Sequence, residues 1–340
     1  MKNIVSRYEE VIWWGLGLGM IVGLVLISEQ ADVIGRDWRE IYRPATLSGD
    51  YINYATVANP PYIQLLFWPL SWLPWEVGYV VLMALYLGAF RLAATLSPVN
   101  KWLIFPSFPS LWMLVYGQID AFVALGVALG WWAIRRNRPY WQGAATILLL
   151  LKPHIGAPLA IIYLFWQRDR RALLVSGLFL LLSLTLFGFW PLRWLERMAL
   201  ETTAASREAG FASELNDWNN IGAFPYGLLL WPLVLLPYAR ARKVPAIISA
   251  TILSSPYAGA YSMLTAMAMP LPLGIYPILS LPLFTPLGYR LIAIAPLALV
   301  LYPAAGSLMN IRRKANTSTN HDDEPTALDE SKQKESISEP

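Results

Sequence analysis

The chain contains 340 residues, of which 56% are hydrophobic and only 14% are charged. A typical globular protein carries about 25% charged residues, so this composition argues against both a soluble enzyme and a disordered chain. The absence of cysteine excludes disulfides, thiolate zinc sites and a cysteine nucleophile, and two histidines nearly exclude a histidine-rich metal site. The net charge of +4 comes from short Lys and Arg clusters between apolar runs, a pattern typical of membrane topology and not of nucleic-acid binding.

The first apolar run, 11–28, predicts a membrane span, and no A-x-A cleavage site follows it, so we interpret it as a retained signal anchor. Gly15, Gly19 and Gly23 share one face of this helix, a spacing that lets a second helix approach closely. The later runs predict an all-α polytopic transmembrane bundle with twelve spans, or ten in the main alternative. The Pro-rich stretch 268–296 accommodates one to three of them. The further spans are expected at 76–94, 100–116, 120–134, 141–152, 154–167, 172–190, 222–238, 244–257, 258–270, 272–284 and 287–306.

Four basic clusters predict the orientation of this bundle, because Lys and Arg are retained on the cytoplasmic side of membrane proteins. The two long loops, 29–62 and 191–221, then lie outside, and both termini lie inside. Residues 1–310 would form the membrane domain, and the polar, highly charged residues 311–340 would form a disordered cytoplasmic tail. The clusters are Arg135, Arg136 and Arg138; Arg168, Arg170 and Arg171; Arg240, Arg242 and Lys243; and Arg312, Arg313 and Lys314.

The first long loop places Asp37 and Glu40 within one helical turn, next to Trp38 and Tyr42. A carboxylate held among aromatic side chains above the membrane surface is partly desolvated, which raises its pKa and its strength as a general base. Asp37 is therefore a candidate base, and Glu40 and Tyr42 are candidate substrate contacts. The alternative interpretation of Asp37 is a solvated loop acid.

Two further polar elements interrupt apolar sequence. Gln118 and Asp120 follow a glycine at the predicted external end of the third span, where ordinary loop residues are the alternative interpretation. Lys152 and His154 interrupt a long apolar stretch on the external side, where the positive-inside bias disfavours a cation. Ionisable residues at membrane depth are functional candidates, and these two would suit an anionic phosphate. The alternative for Lys152 is a lysine that snorkels from a helix end.

Several elements occur together in one order along the chain. They are Asp37 before Tyr42, an Asn-Pro-Pro element with a Pro-Leu-x-x-Leu-Pro sequel at 59–74, a Gly-Gln element at 117–120, and a Lys-Pro pair at 152–153 before a basic loop. In this order the chain resembles the GT-C superfamily of membrane glycosyltransferases. It is most similar to glycosyltransferase family 87, the polyprenyl-phosphate-mannose-dependent α-mannosyltransferase-like proteins, over residues 1–175.

The resemblance implies a multi-span bundle whose external loops form a cavity at the surface of the bilayer, which we expect to be a bacterial plasma membrane. It implies transfer of a hexose, with mannose the first candidate, from a polyprenyl-phosphate donor to a lipid or glycan acceptor outside the cytoplasm. Asp37 would be the catalytic base, Lys152 with His154 would neutralise the lipid phosphate, and Gln118 would hold loop geometry or a sugar hydroxyl. We expect no metal ion, no other cofactor and no nucleic-acid partner.

The sequence departs from the family pattern at two places. Asp120 stands where the family usually has Asn. A late Ser-Pro element at 255–261 lacks its downstream His, and Tyr257 or Tyr261 is the candidate hydroxyl donor in its place. These departures leave open a different sugar, or a divergent and even inactive member. A transporter of a lipid-linked glycan or small solute, and a non-catalytic scaffold for envelope assembly, are the alternative functions.

Overall fold

The fold is an all-α bundle, as the sequence predicts. In the computed structural model, the described residues are 2–49, 51, 59–201, 220–237, 240–255, 258–285 and 288–319. Within these ranges the helices are joined by turns, and an isolated antiparallel bridge links Asn220 and Gly259. The helices are α1 (Lys2–Leu26), α2 (Arg43–Ser48), α3 (Gln64–Ser71), α4 (Trp75–Leu96), α5 (Phe108–Tyr116), α6 (Asp120–Arg135), α7 (Pro139–Leu149), α8 (Pro153–Gln167), α9 (Arg170–Phe187), α10 (Trp190–Glu201), α11 (Trp231–Leu235), α12 (Arg240–Ser254), α13 (Met263–Met267), α14 (Ile275–Ser280), α15 (Gly288–Leu291) and α16 (Ile294–Thr319).

Four helices in the described part of the chain are long and apolar enough to cross a bilayer: α1, α4, α9 and α16. They differ in how much of their apolar surface the protein covers. The most apolar window of α9 is 11% buried and that of α1 is 17% buried, against 50% for α4. The exposed apolar faces of α1 and α9 therefore match the lipid-facing surface of a membrane protein, and α4 lies further inside.

Several predicted spans are broken into short pieces, among them 100–116, 222–238, 258–270 and 272–284. α13 contains five residues and α14 six, whereas a crossing needs about 20. Proline removes a backbone donor and disfavours helix in the residue before it, and Pro270 and Pro272 lie between these two helices. Neither short helix can cross a bilayer alone.

The central helix of the bundle is α6, which packs against α4, α7, α8 and α13. Small residues let its neighbours approach closely. A Cβ added at Gly126 would lie 3.0 Å from the carbonyl oxygen of Ala145, and one added at Gly130 would overlap the ring of Tyr163. The middle of α6 is therefore closely packed against its neighbours, and Asp120 at its start is fully buried.

The glycine spacing in α1 predicts a close helix contact, and that prediction is wrong within the described residues. α1 packs on α4 through a different face, which contains Trp13, Gly17 and Ile21. A Cβ added at Gly17 would lie 2.6 Å from the side chain of Leu87 in α4. Trp13 and Ile21 bury far more apolar area than glycine does, so their face turns inward. A Cβ would meet no atom within 4 Å at any of the three predicted positions, Gly15, Gly19 and Gly23.

The last helix, α16, continues to Thr319, so the first residues after 310 are helical. The remainder of the predicted tail lies outside the described residues. The division into a membrane domain and a disordered tail therefore stays a prediction.

The basic clusters and the polar loops lie at opposite ends of the helices. α6 begins at Asp120 and ends at Arg135, and its 16 residues span about 24 Å. α8 begins one residue after Lys152 and is followed by Arg168. If the basic clusters face the cytoplasm, as the positive-inside rule predicts, Asp120 and Lys152 lie toward the other side of the membrane.

We expect Gly130→Ala to lower the stability of the bundle by about 1–3 kcal/mol, because the new methyl group would overlap the ring of Tyr163. That ring cannot easily move aside, since its hydroxyl donates to the carbonyl oxygen of Val127 at 3.0 Å. The measurement is the thermal unfolding midpoint of the purified protein. Gly177→Ala is the matched control, because a Cβ there meets no atom within 4 Å, and equal shifts in the two variants would contradict the prediction.

Candidate functional site

Asp37 begins a π-helical turn, Asp37–Tyr42, between α1 and α2. Trp38 anchors this turn, because its buried indole Nε1 donates to the carbonyl oxygen of Trp75 at 3.0 Å, at the start of α4. π-Helical turns are rare and are found frequently at functional sites. Asp37 itself is only 7% exposed, so it is a buried carboxylate and not a solvated loop acid.

Two glycines with positive φ bring this turn against the end of α5. Gly35 has φ 65° and donates its N–H to the carbonyl oxygen of Val115 at 2.6 Å. Gly117 ends α5 with φ 80°, and a Cβ there would lie 3.3 Å from the Cβ of Trp38. A larger residue at either position would be strained in this left-handed conformation. The close approach places the residue after Gly117 next to Asp37.

Gln118 is the link between the charged groups of the site. Its Nε2 donates to Oδ2 of Asp37. Its Oε1 accepts from the Tyr42 hydroxyl at 3.1 Å and from Lys152 Nζ at 3.4 Å. Because the amide nitrogen faces an acceptor and the amide oxygen faces two donors, the orientation of Gln118 is determined by its partners. Gln118 therefore holds the Asp37 carboxylate in place.

The hydroxyl of Tyr42 acts as a donor in this network. Burial raises the pKa of Tyr42 well above its ordinary value, and the negative charge on Asp37 raises it further. The ring of Phe67 lies 5.0 Å from the ring of Tyr42 and 5.6 Å from that of Trp38, which encloses the network on its apolar side. Tyr42 thus remains protonated and available to Gln118.

A buried ion pair forms the second half of the site. Lys152 lies at the break between α7 and α8 and is 5% exposed, and Asp120 is the first residue of α6 and is fully buried. Lys152 Nζ lies 2.8 Å from Oδ2 of Asp120 and 4.4 Å from the centre of the Tyr261 ring. Lys152 therefore does not snorkel to a surface. The other carboxylate oxygen of Asp120, Oδ1, has no hydrogen-bond partner in the described part of the chain.

The Asn-Pro-Pro-Tyr element positions Lys152. The side chain of Asn59 donates to the carbonyl oxygen of Leu151 at 2.9 Å, and the Tyr62 hydroxyl donates to that of Leu150 at 2.5 Å. Carbonyl groups at a helix C-terminus have no partner inside the helix, so these bonds satisfy the end of α7. The sequence shows the Asn-Pro-Pro-Tyr element but not that it binds the end of α7, because the bonded carbonyl groups lie about 90 residues further along the chain.

The site contains two carboxylates and one ammonium group within a largely apolar enclosure. With Asp37 and Asp120 ionised and Lys152 protonated, one negative charge is left over, which suits a group that accepts a proton. Among the described residues, no three His, Asp or Glu side chains form a group able to hold a metal ion. The expectation of no metal cofactor stays a prediction.

The structure brings most of the predicted site residues together, with Glu40 as the exception. Glu40 lies outside the network: its half-exposed carboxylate binds Arg36 at 3.4 Å and Arg39 at 2.7 Å. His154 lies in the first turn of α8, two residues after Lys152, and its Nδ1 has no hydrogen-bond partner among the described residues. Tyr257 lies outside the described residues. The residues that do meet are Asp37, Tyr42, Gln118, Asp120, Lys152 and Tyr261.

The described part of the chain is thus a helical membrane-type bundle with a buried, hydrogen-bonded carboxylate at one end. Residues 58–224 match the family model described as glycosyltransferase family 87. The match confirms the resemblance to that family, a GT-C type family of membrane glycosyltransferases. It includes Gln118, Asp120 and Lys152, and residues 1–57, with Asp37, lie outside it. No match was found among curated proteins or among solved structures.

We expect Asp120→Asn to destabilise the protein strongly, because it leaves the Lys152 ammonium buried without a counter-charge. Breaking a buried pair by removing one partner costs about 3–5 kcal/mol. The measurement is the thermal unfolding midpoint. The control is Arg36→Gln, which breaks an exposed ion pair with Glu40 worth about 0–1 kcal/mol. The prediction would be contradicted if Arg36→Gln lowered the unfolding midpoint as much as Asp120→Asn does.

Proposed function

We propose that this protein is a hexosyltransferase that transfers a hexose from a polyprenyl-phosphate donor to a lipid or glycan acceptor. The extracytoplasmic face of the plasma membrane is its place of action, and mannose is the first candidate sugar. The observation that carries the proposal is the buried carboxylate of Asp37, held by Gln118 at the end of the bundle opposite to the basic clusters. A fixed, partly desolvated carboxylate suits removal of a proton from a hydroxyl group.

In the proposed reaction, Asp37 takes the proton of the acceptor hydroxyl while the hydroxyl oxygen forms a bond to C1 of the sugar. The bond between C1 and the phosphate oxygen breaks, and its electron pair leaves with the polyprenyl phosphate. Gln118 keeps the carboxylate oriented toward the acceptor, and Tyr42 keeps Gln118 oriented. This division of roles supports Asp37 as the catalytic residue and Gln118 with Tyr42 as positioning residues.

Lys152 is the proposed partner of the leaving phosphate. Its ammonium group has three N–H donors, of which one faces Asp120 at 2.8 Å and another faces Gln118 at 3.4 Å, which leaves one donor for a phosphate oxygen. The partnerless Oδ1 of Asp120 offers an acceptor to a hydroxyl of the sugar. Asp120, which stands where the family usually has Asn, would then hold both Lys152 and the sugar.

We expect Asp37→Asn to lower sugar transfer by about 10²–10⁴-fold with little change in folding, because the amide cannot accept the proton. The measurement is incorporation of radiolabel from polyprenyl-phosphate mannose, then from other sugar donors, into total lipid extract by the protein in proteoliposomes. Asp32→Asn, an exposed acid in the same loop, is the matched control and should keep the activity of the unaltered protein.

Full activity in Asp37→Asn would refute the role of Asp37 as base. If the unaltered protein folds but transfers no sugar from any donor, hexose transfer itself would be refuted. Counterflow of labelled solute that is unaffected by Asp37→Asn would then favour transport.

A second pair of variants tests the phosphate contact. We expect Lys152→Met to weaken binding of polyprenyl phosphate by about 10–100-fold, since a charge-assisted hydrogen bond is lost. Asp120→Asn should strengthen the same binding, because Lys152 is then no longer offset by a carboxylate. The measurement is equilibrium binding of polyprenyl phosphate to each purified variant. Weaker binding in Asp120→Asn, with the protein folded at the assay temperature, would show that Lys152 does not bind the phosphate.

A further inference from the structure

A cavity separate from the Asp37 site lies between α12, the turn before α14, and α16. Its volume is about 470 Å³, which falls in the range of small-molecule pockets. Its walls are mostly apolar and rich in proline. The side chains that matter for its chemistry include Arg242, Leu271, Leu299 and Tyr302, with Gly274 on the wall formed by the turn.

The cavity lies at the opposite end of the bundle from Asp37. Pro270 is on its rim and follows Met269, whose sulfur lies 3.9 Å from the Ser97 hydroxyl just after the end of α4. The other end of α4, at Trp75, contacts the π-helical turn of the Asp37 site. The 22 residues of α4 span about 33 Å, so a molecule in this cavity cannot take part in the reaction at Asp37.

Arg242 gives the cavity its polar feature. Its guanidinium carbon lies 5.8 Å from the centre of the Tyr302 ring, at the edge of the apolar walls. Among the side chains that the structure describes, no carboxylate lies within 4.0 Å of Arg242. A cation without a counter-charge beside an apolar cavity is complementary to a molecule with an anionic head and an apolar body.

The two helices that form this cavity carry further basic residues in their sequence. Lys243 follows Arg242 in α12, and the cluster 312–314 follows Tyr302 in α16. α12 and α16 pack against each other, and the Ser307 hydroxyl of α16 donates to the carbonyl oxygen of Pro237, before α12, at 2.7 Å. Basic pockets between membrane helices on the cytoplasmic side bind the headgroups of anionic lipids.

We propose that this cavity binds an acyl chain of an anionic phospholipid from the surrounding bilayer, with the lipid phosphate at Arg242. The occupant is a bilayer lipid because the walls are apolar and the cavity belongs to a membrane-type bundle. The lipid would fill the space left by the short, proline-broken segment between α13 and α16. This inference does not depend on the proposed sugar transfer.

The test is native mass spectrometry of the full-length protein, purified in detergent, with added phosphatidylglycerol or with phosphatidylcholine of the same acyl chains. The unaltered protein should retain one phosphatidylglycerol in preference to phosphatidylcholine. Arg242→Gln should lower the affinity for phosphatidylglycerol by about fivefold and leave that for phosphatidylcholine unchanged. Gly274→Phe should lower the affinity for both lipids, because a Cβ at Gly274 meets no atom within 4 Å and the ring would fill the cavity.

Two controls match these variants. Arg136→Gln removes an exposed charge from another basic cluster, and Gly177→Phe adds a ring at an open glycine on α9. Both should bind phosphatidylglycerol as the unaltered protein does, and size-exclusion chromatography should show all four variants folded. The proposal is overturned if Arg136→Gln loses as much affinity as Arg242→Gln, or if Gly274→Phe keeps the full affinity. If inorganic phosphate displaces phosphatidylglycerol, and Gly274→Phe binds phosphatidylglycerol as the unaltered protein does, the site belongs to a free anion. That outcome would also overturn the proposal.

Discussion

The buried ion pair between Lys152 and Asp120 is the interaction on which the organisation of this protein depends. A charge transferred from water into an apolar interior is costly unless it is paired and hydrogen-bonded. Lys152 lies between α7 and α8 and Asp120 begins α6, and Gln118 extends their pairing to Asp37. The break between α7 and α8, the start of α6 and the π-helical turn must therefore meet at one point, because each carries a polar group whose partner lies on another of these elements.

The irregular backbone around this point is stabilised by side chains and not by regular helix bonds. In an apolar environment every backbone carbonyl needs a donor, so a helix can be interrupted only where other groups supply one. Asn59 and Tyr62 do so at the end of α7. Trp38 ties the π-helical turn to the start of α4 through its bond to the Trp75 carbonyl. The interruption between α7 and α8 and the turn that carries Asp37 are thus each anchored by side-chain hydrogen bonds.

The two ends of the bundle have opposite electrostatic character. At one end, two carboxylates and one lysine form an enclosed polar cluster with an excess negative charge. At the other end, Arg242 borders an apolar cavity. The proton transfer that we propose at Asp37 and the lipid contact that we propose at Arg242 would therefore be separated by about the length of α4. A lipid bound near Arg242 would thus make no contact with the Asp37 site.

The amino-acid sequence is enough to predict the helical membrane class, the positions of the basic clusters and the polar candidates Asp37, Gln118 and Lys152. These follow from composition and from polar residues that interrupt apolar runs, which are local properties. The pairing of Lys152 with Asp120, and the turn of Glu40 to the surface toward arginines, emerge from the packing of the helices. Those outcomes depend on which helix faces pack together and which buried groups then lack a partner, and no local pattern contains that information.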